Sequence, residues 1–364
     1  MKNIIEFIKD KAYYFLGGTV IIIIILIIVS SCSNKSSGGS SYEAIENSMT
    51  SAAKSYYDKK PNLLPKEEGG TVKVTVASLI DSELLSEIKD PKDSSKTCSG
   101  YVEVTKVGDE YSYSPLLTCK GNYEPDYLVN KVKESKVDEY GNGVYTVGSD
   151  LVYRGDAVNN YVSFNEQIWR IVKIDSAGDI MLLRYYTSED YYPFDDAYNS
   201  EAGYQYGITT NFLKTRIKKV LNDYYEENFS KDSKAKIVSK SLCIGRYDSL
   251  SDSFSRQKEC SIVRENEKVG LLNPSDYQTA SLDAGCTTLE SKECINYNYL
   301  AYSNINSWML NTSSKNSYEV LYLSSMIGVT YASNEKSINP VIYISGKTLC
   351  SSGDGSADKP YKVK

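Results

Sequence analysis

The cysteines are the residues whose spacing says most about chemistry. Cys98 and Cys119, Cys243 and Cys260, and Cys286 and Cys294 fall in pairs across short polar stretches, while Cys32 and Cys350 stand apart. A zinc site built from thiolates wants two cysteines about two to four residues apart, and a redox pair wants Cys-x-x-Cys. The chain has neither spacing. The six paired cysteines therefore read as local disulfides of an oxidising compartment, where thiols pair, with other connectivities left open by spacing alone.

Histidine is absent from all 364 residues, which removes Ser-His and Cys-His nucleophile pairs, histidine-ligated metals and imidazole acid-base chemistry. Ser51 with Lys54 and Ser233 with Lys236 match Ser-x-x-Lys, but the Ser-Asp-Asn and Lys-Thr-Gly partners of that chemistry are missing. Adjacent acids such as Asp195-Asp196 and Glu226-Glu227 read as solvated charge rather than as a glycosidase pair. The acidic run at 353–358 lacks calcium-loop spacing, and no phosphate-cradling glycine motif occurs. No catalytic, cofactor-binding or metal-ligating residue is assigned, and no cofactor is expected.

Binding chemistry is better represented. The chain carries 33 Tyr against seven Phe and two Trp, and Tyr packs while keeping a hydroxyl for hydrogen bonds. Between residues 185 and 206, Tyr191, Tyr192, Tyr198, Tyr204 and Tyr206 cluster among acids and glycines. That cluster is the candidate ligand-binding loop; the alternative is that its rings only pack the loop onto the core. With a net charge of −6 and no basic block, nucleic acid is not an expected partner.

Residues 12–32 form an apolar run whose centre, 20–29, is ten aliphatic residues. About 20 apolar residues span a bilayer as a helix. Lys2, Lys9 and Lys11 precede the run, so residues 1–11 are expected in the cytoplasm and everything after Cys32 outside. An uncleaved anchor is one reading; a lipoprotein lipidated at Cys32, after Val29-Ser30-Ser31, is the other. Residues 33–41 make a Ser/Gly tether.

Residues 42–128 are expected to form a small α+β domain. Ile45, Met49, Ala52, Ala53 and Tyr56 line one face of a helix. Val72, Val74 and Val76 alternate as a strand, 77–89 reads as a short helix, and two β-rich runs flank Gly108-Asp109 as a hairpin whose ends carry Cys98 and Cys119. Closing that loop is worth about 3 kcal/mol. The apolar N-terminal helix, its amphipathic continuation and the stapled sheet resemble the pilin-like or pseudopilin-like regions of Gram-positive surface proteins, although the prepilin cleavage signature is missing.

Residues 129–149 read as a linker, and 150–349 as a second module. Its strands are expected over 164–174 and 180–184, with a helix over 211–229. The order of its Trp-Arg-Ile strand, Leu-Asn-x-Tyr-Tyr helix, Gly-Leu-Leu-x-x-x-Asp-Tyr strand, Trp-Met-Leu strand and Pro-Val-Ile-x-Ile strand resembles bacterial surface domains related to the C-type lectin-like and sulfatase-modifying-factor-like fold. That resemblance implies an irregular α+β domain with Trp169 and Trp308 in its interior. Residues 350–364 form a tail ending in a strand near Tyr361. The expected whole is thus α+β, with an N-terminal transmembrane helix, a pilin-like domain and a lectin-like domain. The expected function is non-enzymatic adhesion or binding at the cell membrane, directed at a glycan or surface protein. A structural, pseudopilin-like role in an envelope or secretion assembly is the alternative, and a carboxylate-based extracellular hydrolase the remote one.

Overall fold

The spacing of Met49, Ala53 and Tyr57 puts them on one face of helix α1 (Ser40–Asp58), where all three are buried. The structure, a computed structural model, describes residues 40–364 except 187, 199, 201–206, 208–210 and 302–304. Helix α1 covers a three-stranded antiparallel sheet of β1 (Thr71–Thr75), β2 (Ser99–Val107) and β3 (Glu110–Thr118), in that order. Gly108, at φ +58, makes the β2–β3 turn, and a Cys98–Cys119 disulfide closes the far end. Helix α2 (Val76–Asp81) starts at Thr75, whose hydroxyl accepts from Ser78 N, and stops well short of residue 89. Ser82 Oγ donates back to Ser78 O, and Glu83 adopts φ +57, a left-handed conformation that ends a helix.

A second core begins at Leu128 and runs to Tyr361. It contains helix α3 (Leu128–Glu134) and strands β4 (Gly143–Val147), β5 (Asp150–Arg154), β6 (Tyr161–Phe164), β7 (Gln167–Ile174) and β8 (Ile180–Arg184). Residues 129–149, read from sequence as a linker, therefore supply α3 and β4 to this core. The strand expected over 164–174 is broken, because Asn165 and Glu166 take φ +51 and +59 and form a tight hairpin turn between β6 and β7. Strands β9 (Ser307–Ser313), β10 (Glu319–Leu323) and β11 (Ile327–Tyr331) belong to a separate small sheet. In the large sheet, β12 (Val341–Ile344) pairs with β8, while β13 (Leu349–Ser352) and β14 (Tyr361–Val363) extend it beyond β6. The 350–364 tail thus joins the sheet at both of its ends.

Strand β7 is the middle of this arrangement, and Trp169 to Ile174 are all buried. Two of those residues are cations, and a buried charge is costly unless paired. Lys173 Nζ lies 2.7 Å from Asp276 Oδ1 and 3.9 Å from Asp150. Asp276 belongs to helix α5 (Pro274–Ala280), where its Oδ2 accepts from Asn273 N and completes a capping box. The Gly-Leu-Leu…Asp-Tyr stretch is accordingly a short strand, Val269–Gly270, followed by a helix. Asn273 Nδ2 in turn donates to Cys243 O and Asn311 Oδ1, which ties β7, α5, the Cys243 loop and β9 into one polar web. Contacts also join the two cores: Ser112 Oγ donates to Asp232 at 2.6 Å, Lys231 pairs with Glu110, and Lys364 pairs with buried Glu46.

Two expectations about fold class are corrected. The protein is mostly β, with 37% strand and 22% helix, rather than a balanced α+β assembly, because short strands far apart in sequence, such as Asp126–Tyr127 and Leu349–Ser352, pair into one sheet. The transmembrane helix is not supported either: no helix among the described residues is long and apolar enough to cross a membrane, and segments 1–11, 12–32 and 33–39 lie outside the described residues.

The buried ion pair makes a pH-dependent prediction. Burial pushes the Asp276 carboxyl up, but the Lys173 ammonium and the Arg256 guanidinium outweigh it and hold the carboxyl below the usual range. A depressed acid contributes stability above its unfolded value, about 3.9, and loses it as pH falls through the folded one. Glu259, pushed up by burial, acts with the opposite sign. Lys173→Met should cost about 3–5 kcal/mol at neutral pH by stranding a buried carboxylate. The loss should shrink toward pH ~3, where Asp276 in the variant becomes protonated. Urea unfolding at both pH values checks this, and an equal loss at both would contradict it.

Candidate functional site

Strand β8 ends at Arg184, and the chain pairs again at Tyr192–Pro193. Trp308, 1% exposed, donates its indole N–H to Tyr192 O at 2.7 Å. Tyr192–Pro193 pairs with Glu335–Lys336, and Phe194 packs edge-on against Trp308 with ring centres 5.8 Å apart. These contacts hold the return point of the loop. On the opposite side, helix α4 (Arg216–Asn228) is capped by Thr215 and buries Ile217, Leu221 and Tyr224. Its Asp223 and Glu227, one turn apart, are half-buried and exposed respectively, while Val220 is half-buried against the core.

Between the 184–192 segment and α4 lies a groove of about 760 Å³, with Ile338 among its lining residues. Tyr186, 63% exposed, lines it. Its ring is backed by a ladder: Tyr186 meets Tyr185 edgewise at 4.8 Å, Tyr185 meets Tyr161 at 5.2 Å, and the buried Arg170 guanidinium lies 3.9 Å from the Tyr161 ring centre. Arg184, also a lining residue, stands 5.5 Å over the Tyr224 ring, whose hydroxyl donates to Gln167 Oε1. Tyr192 OH donates to Asp190 Oδ2 at 3.2 Å. Burial, with Asp190 and Glu227 nearby, pushes that hydroxyl above its ordinary value.

The tyrosines expected to bind thus separate. Tyr192 lines the groove; Tyr191 and Tyr198 are exposed but are not among its lining residues; Tyr204 and Tyr206 lie outside the described residues. Sequence reasoning missed Arg184, Tyr186, Asp223 and Glu227. The available signal was the pair of acids one helical turn apart on α4, Asp223 and Glu227, which share a face.

The other sequence candidates do not assemble into chemistry. Asp195 is buried while Asp196 pairs with Arg216 at 2.6 Å, and Glu226 pairs with Lys234, so neither adjacent pair converges on a common point. Ser51 Oγ donates to Asn47 O, and Ser233 forms part of a helix cap. The disulfides Cys98–Cys119, Cys243–Cys260 and Cys286–Cys294 are formed, Cys350 is buried and free, and Cys32 lies outside the described residues. Asp90 stands near the Cys98 and Cys119 sulfurs. Those sulfurs are consumed by the disulfide, and Asp90 already accepts from Tyr42 OH, Asn122 Nδ2 and Lys92 N, so the cluster offers no metal site in this state. A second groove, of about 710 Å³, runs between α1 and residues 84–89, lined by Ser48, Ser51, Ser55, Leu84 and Leu85.

The chain matches no known family model, no curated protein and no solved structure.

Since Trp308 both fills the core and holds Tyr192, Trp308→Ala should cost about 3–5 kcal/mol, a large share of a domain's stability. Tyr186→Ala, on an exposed ring, should change stability by less than about 0.5 kcal/mol. Denaturant midpoints for the two variants check this; a stable Trp308→Ala protein would contradict the role given to the indole.

Proposed function

We propose that this protein is a non-enzymatic binding protein that works outside the cytoplasm and attaches to a partner through the 184–192/α4 groove. The observation that carries the reading is the held groove itself. It combines an exposed ring at Tyr186 with hydroxyl and carboxylate groups on both walls, a mixture of apolar face and convergent polar groups typical of ligand sites. The three disulfides support an oxidising location. The order of motifs that resembles lectin-like surface domains agrees with binding as the activity. An assembly role would instead use the Leu84/Leu85 groove beside α1, where apolar side chains border a serine-lined helix face.

The two are separated by surface attachment measured on matched variants. Tyr186→Ala combined with Tyr192→Phe, which keeps the half-buried ring and removes its hydroxyl, should weaken attachment about tenfold, a loss of about 1.4 kcal/mol, with little change in melting temperature. Leu84→Ser with Leu85→Ser should leave attachment intact. The reverse pattern would overturn the binding reading and favour assembly.

A further inference from the structure

The groove's polar groups are unevenly matched. Asp223 pairs with Lys219 and Asp190 accepts from Tyr192, but among the described residues Glu189 and Glu227, which also line the groove, have no hydrogen-bond or ion-pair partner. The one guanidinium on the lining, Arg184, is engaged over Tyr224. Behind the wall, Asn339 is 2% exposed; its Nδ2 donates to Arg184 O, which fixes the orientation of the amide, and its Oδ1 has no partner. Asn339 follows Ile338 but does not itself line the groove, so this acceptor belongs to the interior behind the wall. A buried acceptor without a donor is costly. The lining itself carries four carboxylates, Glu189, Asp190, Asp223 and Glu227, against the single guanidinium of Arg184, and what it lacks is positive charge.

We infer that the groove takes a basic segment of a partner protein in extended conformation, with alternate Lys or Arg side chains reaching the carboxylates while their stems lie against Tyr186 and Tyr192. This rests on the binding reading above and specifies its ligand. Charge complementarity selects the cation, and an ammonium or guanidinium also gains from the face of a tyrosine ring. Spacing selects a peptide: Asp223 and Glu227 are one helical turn apart, about 5–6 Å between Cβ atoms, close to the repeat of about 7 Å between same-face side chains of an extended chain. A neutral sugar would leave the four carboxylates of the lining without a countercharge. The exposed Lys219–Asp223 pair is of the kind that holds weakly, so a ligand cation can replace Lys219.

The test is fluorescence anisotropy on the full chain with three probes: a short peptide alternating lysine and threonine, the same peptide with glutamate for lysine, and a glucosamine oligosaccharide. The lysine peptide should bind, more weakly as salt is raised, and the other two should not. Glu189→Gln with Glu227→Gln should weaken binding about tenfold at unchanged melting temperature, and Asp196→Asn, at an acid outside the lining, should not. Equal binding of the glutamate peptide, wild-type affinity in the double variant, or binding of the oligosaccharide alone would overturn the inference. Loss of surface attachment in the tyrosine variants, with no binding of the lysine peptide, would overturn it while leaving the binding reading standing.

Discussion

Strand β7 is buried on both faces yet carries two cations, and the need to compensate them organises the larger part of the molecule. Lys173 is answered by a carboxylate: burial pushes its ammonium down, and Asp276 more than reverses that. Because Asp276 also caps α5, a single electrostatic requirement fixes the helix against the sheet. Arg170 is answered differently. Its Nε donates to Asn160 Oδ1 and its Nη1 to Tyr161 OH at 2.9 Å, and the rings of Tyr161 and Tyr299 lie 3.9 and 4.8 Å from the guanidinium carbon. Burial lowers its affinity for the proton, but not to the point where an arginine loses charge.

The choice of rings over a carboxylate at Arg170 has a consequence at the surface. An acid would have ended the interaction inside the core. Tyr161 instead passes it on to Tyr185 and Tyr186, the last of which lines the groove. On the other wall, Trp308 holds Tyr192. Both aromatic groups offered to a ligand are therefore set by residues of the core, so little ordering remains to be done on binding, and preorganisation of this sort favours affinity.

Much of the local order was legible in the sequence. The amphipathic stripe of α1, the Gly108-Asp109 hairpin and the three cysteine pairs depend on spacings of a few to about twenty residues, and local spacing is what a sequence displays. Trp169 and Trp308 are buried, as the lectin-like resemblance implied. The mostly-β class was hidden because its pairings are remote: β12 joins β8, and β14 joins β6, through strands of only three to five residues. Helix α5 was hidden for the opposite reason. It is short, and what specifies it is the Asn273-Pro274…Asp276 start signal rather than apolar periodicity. The groove was legible only at Tyr192, since its walls meet only after β7, β8 and α4 have packed.

The central claim is that ligand contact occurs at the groove held by this buried framework. Hydrogen exchange on the full chain, with and without the lysine–threonine peptide, tests it most directly. The account predicts added protection confined to residues 184–192 and 220–228, with β7 unchanged because it is already protected. Protection at 45–55 and 84–89 instead, with the 184–192 segment unaffected, would contradict it.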